Sequence, residues 1–387
     1  MKICLCTTRL KSDLTEAISK NFYNLSEELT KQGHDVTILS PVKIDFPLKS
    51  KLIVYSNPHS YESKFMGLKN LLKLKKIINN SQDNYDVFHI HSGFLLEAFL
   101  LRNIKPKKPI FITIWQPYLD IKEFFKTFYF SIKSPKNYLY HFTLNSFLAA
   151  PFLKLGVKKT FTKIIVSSNY QKKQLIKHFP EQKIEIIPNG LTDSKEKLKI
   201  EVKNAPRILY IGHFTPFKGA DSLLKAVYYT KEKFPDTILT LAWSGYGSKN
   251  KIQKLIKKLD LTNNIIPKDK IDVYKELVNN DFLIIPYKST IGTSHYHNVL
   301  LEAMSTGTLV LASNIGSIPE IIKDKETGIF IDPNNPKQIA ETIVNTFTNE
   351  ELRKKISKNS ISLFREKFLI ENVAKKHLEL YNEARKG

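Results

Sequence analysis

Cysteine is nearly absent: the 387 residues hold two, Cys4 and Cys6. They stand two apart at the head of an apolar stretch. On a strand both thiols point to one face, too close along a single chain for an easy bridge. That excludes a disulfide framework and a cysteine-based zinc site. Long apolar runs are also lacking. None reaches the roughly 18 residues that a membrane-spanning helix needs. The nearest approach, residues 137–153, carries His141, Asn145 and Pro151. The start, Met1 to Cys6, is cut short by Thr7, Thr8, Arg9 and Lys11, before it attains the apolar length of a signal peptide. The expectation is a soluble, cytoplasmic chain. Acidic residues are the third shortage: 37 Asp+Glu against 60 Lys+Arg, a net charge of +23.

The 42% of apolar residues suffices for ordinary cores, and the length suits two domains. The positive charge is uneven. Residues 1–190 hold 29 basic and 14 acidic residues, net +15, and residues 101–180 hold 15 and two, net +13. Aromatics such as Phe124, Phe128, Tyr138 and Phe152 stand among those lysines. Basic and aromatic residues together suit an anionic membrane surface, at about 1 kcal/mol per well-placed Lys. A solvated lysine surface over a Phe-rich core fits equally. Nucleic acid fits poorly, because Arg is scarce and no nucleic-acid motif is present.

Short β-rich runs alternate with helical patterns. Strands are expected at Lys2–Thr7, Asp35–Leu39, Asp86–His91, Ile110–Trp115, Lys163–Ser167 and Lys183–Ile187. The helix at 14–31 carries Ile18, Phe22, Leu25 and Leu29 and stops at Gly33, and Ser168 is placed to cap a helix over 170–178. After Pro188-Asn189-Gly190, residues 191–205 read as a polar linker. A second series follows: strands at Arg207–Ile211, Thr237–Trp243, Asp281–Pro286 and Thr308–Ala312, and helices over 220–234, 249–259, 336–347 and 350–381. Repeated βα units predict an α/β protein with parallel sheets: two Rossmann-like domains, 1–190 and 206–369, facing across a cleft. Ligands of such sheets bind beyond the carboxyl ends of the strands, so the cleft is the expected site.

Four segments could carry chemistry. In Ile211-Gly212-His213-Phe214-Thr215-Pro216-Phe217-Lys218-Gly219 a strand ends and Lys218 precedes a helix, a pattern able to hold an anion through N–H groups, helix dipole and charge. A solvated Lys in an ordinary loop would look the same. In residues 292–307 a polar loop, Gly292 to His297, leads into a helix that ends at Gly307. Glu302 is an acid on that otherwise apolar helix. Such residues are rarely buried without a partner, and sugar hydroxyls suit a carboxylate. Trp243-Ser244-Gly245-Tyr246-Gly247-Ser248 reads as strand, glycine turn and helix, with room for a nucleotide. Asn314 to Glu320 is a loop after the next strand.

The order of these pieces resembles the retaining, nucleotide-sugar-dependent glycosyltransferases of family 4, which have the GT-B fold. The matching residues are Ile187-Pro188-Asn189-Gly190, Tyr210-Ile211-Gly212 with Lys218-Gly219, Gly245-Tyr246-Gly247, Leu301-Glu302-Ala303-Met304-Ser305-Thr306-Gly307, Gly316-Ser317-Ile318-Pro319-Glu320 and Thr327-Gly328-Ile329-Phe330. The N-terminal half is similar through Gly33-His34-Asp35-Val36 and Asp86 to His91. The resemblance implies a sugar transfer from a nucleotide donor to a glycan or lipid-linked acceptor. Lys218 would hold the diphosphate and Glu302 the ribose. Gly212, His213, Gly245 and Gly247 would line the nucleotide. Thr293, Ser294, His295, His297 and Asn298 would lie beside phosphate and sugar. Arg9, His91, Trp115 and Gln116 fall on the acceptor side. A last helix, 370–387, would cross back to the first domain.

Four positions depart from the family pattern. Ser294 stands for a sugar-gripping Glu, His213 for an Arg, Glu16-Ala17 for a Gly-Gly pair and Trp115 for a His. A degenerate relative acting as a glycan-binding or partner subunit is therefore the alternative. No Asp-x-Asp stands at a strand end, so neither metal nor cofactor is expected. The leaving diphosphate would take the acceptor's proton, and Lys218 with Ser294 and Glu302 would serve the reacting groups.

Overall fold

The hexapeptide Lys2–Thr7 shows why the chain folds in layers. Ile3 and Leu5 point to one side of the first strand and Cys4 and Cys6 to the other, and all four are buried. Successive side chains on a strand alternate, so an apolar residue at every position demands cover on both faces. Ile3 and Leu5 pack on Phe22, Leu25 and Leu29, and Cys4 and Cys6 on Leu71, Leu74 and Ile78. Both cysteines are free, with their Sγ atoms 3.7 Å apart, and burial pushes the Cys4 thiol well up.

The structure, a computed structural model, describes residues 1–7, 10, 17–55, 64–92, 95–102, 104–115, 160–201, 203–290 and 298–386. The N-terminal sheet comprises β1 (Lys2–Thr7), β2 (Asp35–Ser40), β3 (Lys51–Val54), β4 (Val87–Ser92), β5 (Ile110–Ile114), β6 (Lys163–Val166) and β7 (Ile184–Ile186), in the order β3-β2-β1-β4-β5-β6-β7. Its described helices are α1 (Ala17–Lys31), α2 (Lys64–Asn80), α3 (Leu95–Leu100) and α4 (Asn169–Leu175). The Ser168 hydroxyl caps α4 by accepting from the Gln171 amide, as its sequence position predicts.

The second sheet runs β10-β9-β8-β11-β12-β13. Its strands are β8 (Arg207–Phe214), β9 (Ile238–Gly247), β10 (Ile265–Lys268), β11 (Phe282–Ile285), β12 (Leu309–Ser313) and β13 (Ile329–Ile331). Around it stand α5 (Ala220–Lys233), α6 (Lys249–Lys258), α7 (Val273–Asn279), α8 (Asn298–Thr306), α9 (Ile318–Ile321), α10 (Pro336–Thr348) and α11 (Glu350–Lys367). All pairings in both sheets are parallel. The short elements β3, α3, β10, α7, α9 and β13 carry too little periodicity to be read from sequence.

The helical run that the apolar pattern carries over 350–381 is broken near residue 370, where the family resemblance starts a separate last helix. α11 stops at Lys367, and α12 (Ile370–Lys386) packs on the N-terminal lobe with Val373 and Tyr381 against the core of β1 and α1. Neither Gly nor Pro marks the break. A tertiary contact makes it: Leu191 bridges Leu369, its amide donating to the Phe368 carbonyl at 3.0 Å and its carbonyl accepting from Ile370 at 2.9 Å. The chain thus crosses between lobes twice, side by side. Gly190 is required there, since a Cβ would lie 2.7 Å from Ile370 Cδ1.

Among the described residues, no helix is long and apolar enough to cross a membrane.

Candidate functional site

Each sheet reverses its winding direction once, between β1 and β4 and between β8 and β11. Connections leave such a pair toward opposite sides and open a crevice at the carboxyl ends. In the C-terminal lobe the residues there are those singled out by sequence. β8 ends with a register irregularity between Gly212 and Phe214. Below it the Tyr210 hydroxyl, 3.0 Å from where a Gly212 Cβ would stand, donates to the His213 carbonyl at 2.9 Å. His213 Nδ1 lies 2.7 Å from the Ser244 hydroxyl. The glycine turn expected after β9 is instead part of that strand, which continues to Gly247 opposite Phe214. A Cβ on Gly247 would fall 2.2 Å from the Phe214 carbonyl, so glycine lets the two strands stay paired to their tips.

Lys218 ends a single 3-10 turn, Pro216–Lys218, and Gly219 follows in the left-handed region with φ +68°. The turn is tied to the loop after β11, because the Lys288 amide donates to the Phe217 carbonyl at 2.8 Å. Asp221, in the first turn of α5, is neutralised by Lys288 Nζ at 2.8 and 2.9 Å. Lys218 is different. Its side chain is buried, its ammonium lies 3.8 Å from the centroid of the Tyr287 ring, and among the described residues no carboxylate pairs with it. Burial lowers its pKa to about 7. A buried cation without a counter-charge beside a helix start is prepared for an anion.

Glu302 and Asn298 lie one turn apart on α8, both buried. Both face the other lobe. Glu302 Oε1 forms an ion pair with Lys20 Nζ from α1. Asn298 Oδ1 accepts from Asn21 Nδ2 at 2.9 Å and from Asn189 Nδ2 at 3.2 Å. The Asn298 side chain, expected beside the phosphates, is thus engaged with α1 and the crossing between lobes. Tyr274 lies under Lys20, its ring centroid 5.1 Å from Nζ. Its hydroxyl pKa is raised by burial and by the negative charges of Glu302 and Asp193. A third cross-lobe contact involves Glu320, whose carboxylate accepts from the Asn169 and Tyr170 amides at 2.7 and 2.6 Å. It caps α4 from the opposite lobe. Sequence reasoning missed Lys20 altogether. Glu320 was visible as the acid of its motif, but its partners were not.

In the N-terminal lobe, His91 at the tip of β4 and Trp115 just after β5 come together with ring centroids 5.7 Å apart. Both are buried, and among the described residues neither the His91 ring nitrogens nor Trp115 Nε1 has a hydrogen-bond partner. They border a cavity of about 20 Å³ shared with Thr113, Ser167, Asn189 and His377, enough for one water. His89 lies 4.3 Å from His91 and 5.3 Å from His377 between ring centroids. It is held by the Tyr381 hydroxyl at 2.6 Å and the Thr113 hydroxyl at 2.7 Å. Burial pushes His89 well down, His91 to about 3 and His377 to about 4, so all three are neutral at pH 7. Arg9, Gln116, Thr293, Ser294, His295 and His297 lie outside the described residues. Among the described residues, no three His, Cys, Asp or Glu side chains are grouped to hold a metal ion.

Comparison with known proteins agrees with this architecture. Residues 192–362 match the family model of glycosyl transferases group 1, and residues 19–195 that of Glycosyltransferase Family 4. An uncharacterized glycosyltransferase of Haemophilus influenzae is 26% identical over 351 residues, covering 87% of this chain and 88% of its own. Among solved structures, sucrose-phosphate synthase from Thermosynechococcus elongatus superposes with a TM-score of 0.77 at 17% identity, covering 99% of each chain. HepE of Anabaena in complex with UDP-glucose superposes with a TM-score of 0.70 at 14% identity, over 99% of this chain and 100% of that one.

Proposed function

Because this chain belongs to the family 4 glycosyltransferases of the GT-B fold, we propose that it moves a sugar from a nucleotide-diphosphate donor to a glycan or lipid-linked acceptor, with retention at the anomeric carbon. The observation that carries this reading is the buried Lys218 at the crevice between β8 and β11, with no carboxylate paired to it among the described residues. HepE, of the same fold, was crystallised with UDP-glucose, which supports a nucleotide-sugar as ligand.

In the proposed reaction the donor diphosphate lies against Lys218 and the start of α5, and its ribose hydroxyls donate to Glu302. The bond between the anomeric carbon and the phosphate oxygen breaks. The acceptor oxygen bonds the same carbon from the same face, and its proton passes to the departing phosphate. The protein's largest task is to stabilise charge on that diphosphate. An oriented cation in a dry site does so far better than one in water. We assign that task to Lys218 and the α5 N-terminus, with no step through a metal. His213, with Ser244 at Nδ1, can carry its proton on Nε2 and donate to phosphate. The net +13 of residues 101–180 supports docking of the N-terminal lobe on an anionic membrane face or a phosphate-linked acceptor.

The test is to incubate the protein with UDP-, GDP- and ADP-sugars and follow donor hydrolysis and transfer. One of them should be turned over, and Lys218→Ala should lower that turnover by at least about a hundredfold. Binding without turnover would favour the glycan-binding or partner-subunit reading, and no binding at all would defeat both.

A further inference from the structure

Glu302 is 4% exposed, and a buried carboxylate requires a partner. In this structure the partner is Lys20 of the opposite lobe, whose side chain keeps 30% of its exposure. We infer that Lys20 is an internal competitor for the donor: it holds Glu302 while the site is empty and must leave when a nucleotide's ribose takes that carboxylate. The inference rests on the reading that Glu302 binds the ribose.

The geometry sets the two partners in competition, because the Glu302 side chain keeps only 6% of its exposure with Lys20 upon it. A ribose cis-diol engages a carboxylate through both oxygens, one hydroxyl to each. Lys20 occupies Oε1. Tyr274 stands beneath the ammonium, and Asn21, the next residue of α1, is fixed to Asn298 one turn back along α8. A cis-diol that reaches both oxygens of so enclosed a carboxylate displaces the ammonium covering it, and Lys20 swings outward, toward the solvent it already touches. Its loss removes one of the ties between α1 and α8, whereas the Asn21–Asn298–Asn189 contact remains. Donor binding is thereby coupled to the seam between lobes, since a ligand shifts an equilibrium by its differential affinity for the two states.

Two substitutions of opposite sign test this. Lys20→Met keeps the stem and removes the ammonium. Lys20→Arg offers Glu302 a two-pronged partner. Affinities of wild type and both variants are measured for UDP, GDP, ADP and inorganic pyrophosphate, after thermal unfolding has confirmed that the variants fold. For the nucleotide that wild type binds best, Lys20→Met should bind about 2- to 5-fold tighter and Lys20→Arg weaker by a similar factor. Pyrophosphate has no ribose, so Lys20→Met should not bind it more tightly. Unchanged or weaker nucleotide binding by Lys20→Met overturns the inference, as does an equal gain for pyrophosphate. A wild-type protein that binds no nucleotide overturns the donor-site reading itself, and this inference with it.

Discussion

The ammonium of Lys218 rests 3.8 Å from the centroid of the Tyr287 ring, a cation on an aromatic face with no carboxylate beside it among the described residues. The ring compensates only part of the charge. Burial therefore holds the group near pKa 7 instead of 10.5.

That value predicts a pH dependence for the proposed donor binding. A diphosphate favours the ammonium, so the pKa rises in the complex and binding takes up a proton above pH 7. Affinity should be flat below about pH 7 and fall by up to tenfold per unit above it. A nucleotide sugar is the right probe, because its diphosphate has no proton to lose in that range. Titrations from about pH 6 to about pH 9 should show the slope in wild type and lose it in Lys218→Met, which should also bind weakly throughout.

Gly219 should be irreplaceable for a reason separate from its φ of +68°. A Cβ there would fall 1.9 Å from the Pro286 carbonyl oxygen, which is backbone and cannot turn away. Gly33 has φ +85° and open space around it, so Gly33→Ala isolates the conformational cost, about 1–2 kcal/mol. Gly219→Ala should cost about 3 kcal/mol or more. Urea unfolding of both variants measures the difference.

Much of the fold was legible because parallel strands buried on both faces are continuous apolar runs, and β1, for one, is Lys2–Thr7 as read. The place of Gly212 at the end of β8, of Lys218 before α5 and of Glu302 on α8 was legible for a related reason: all three belong to one lobe, where spacing along the chain translates into position in the fold. The seam was not. Lys20 and Glu302 are 282 positions apart, and nothing in the pattern of α1 announces a partner in the other domain. The break after Lys367 is invisible in the apolar pattern for the same reason, since Leu191 makes it from across the molecule, and only the family resemblance placed a separate last helix at 370–387.

Glu320 should stabilise the arrangement of the lobes. Its carboxylate accepts two amides of the first turn of α4, which have no partner within that helix. Glu320→Ala should cost about 1 kcal/mol and lower the thermal midpoint by about 2 °C. Glu320→Gln keeps an acceptor oxygen and should cost about half as much. Because the contact joins two lobes, small-angle scattering should give a larger radius of gyration for Glu320→Ala than for wild type.

The histidines beneath the N-terminal sheet's tips should make the protein sensitive to acid. Their folded pKa values are depressed, to about 3 for His91 and about 4 for His377 and well down for His89, against 6.5 ordinarily. As pH falls below 6.5 the unfolded chain binds protons that the folded one refuses, so stability drops until the folded pKa values are reached. Each histidine contributes up to about 1.4 kcal/mol per pH unit in that window. His91 can be tested alone. Among the described residues its ring nitrogens have no partner, and its ring neighbours are His89 at 4.3 Å, Phe22 at 5.0 Å edge-on and Trp115 at 5.7 Å. His91→Phe should therefore cost less than about 1.5 kcal/mol at neutral pH. It should also flatten the acid limb of the stability profile by up to one proton. Urea unfolding at about pH 7.5, 6 and 5 reads both effects. An unchanged slope would mean that His91 is protonated in the folded protein, which its surroundings give no means to accommodate.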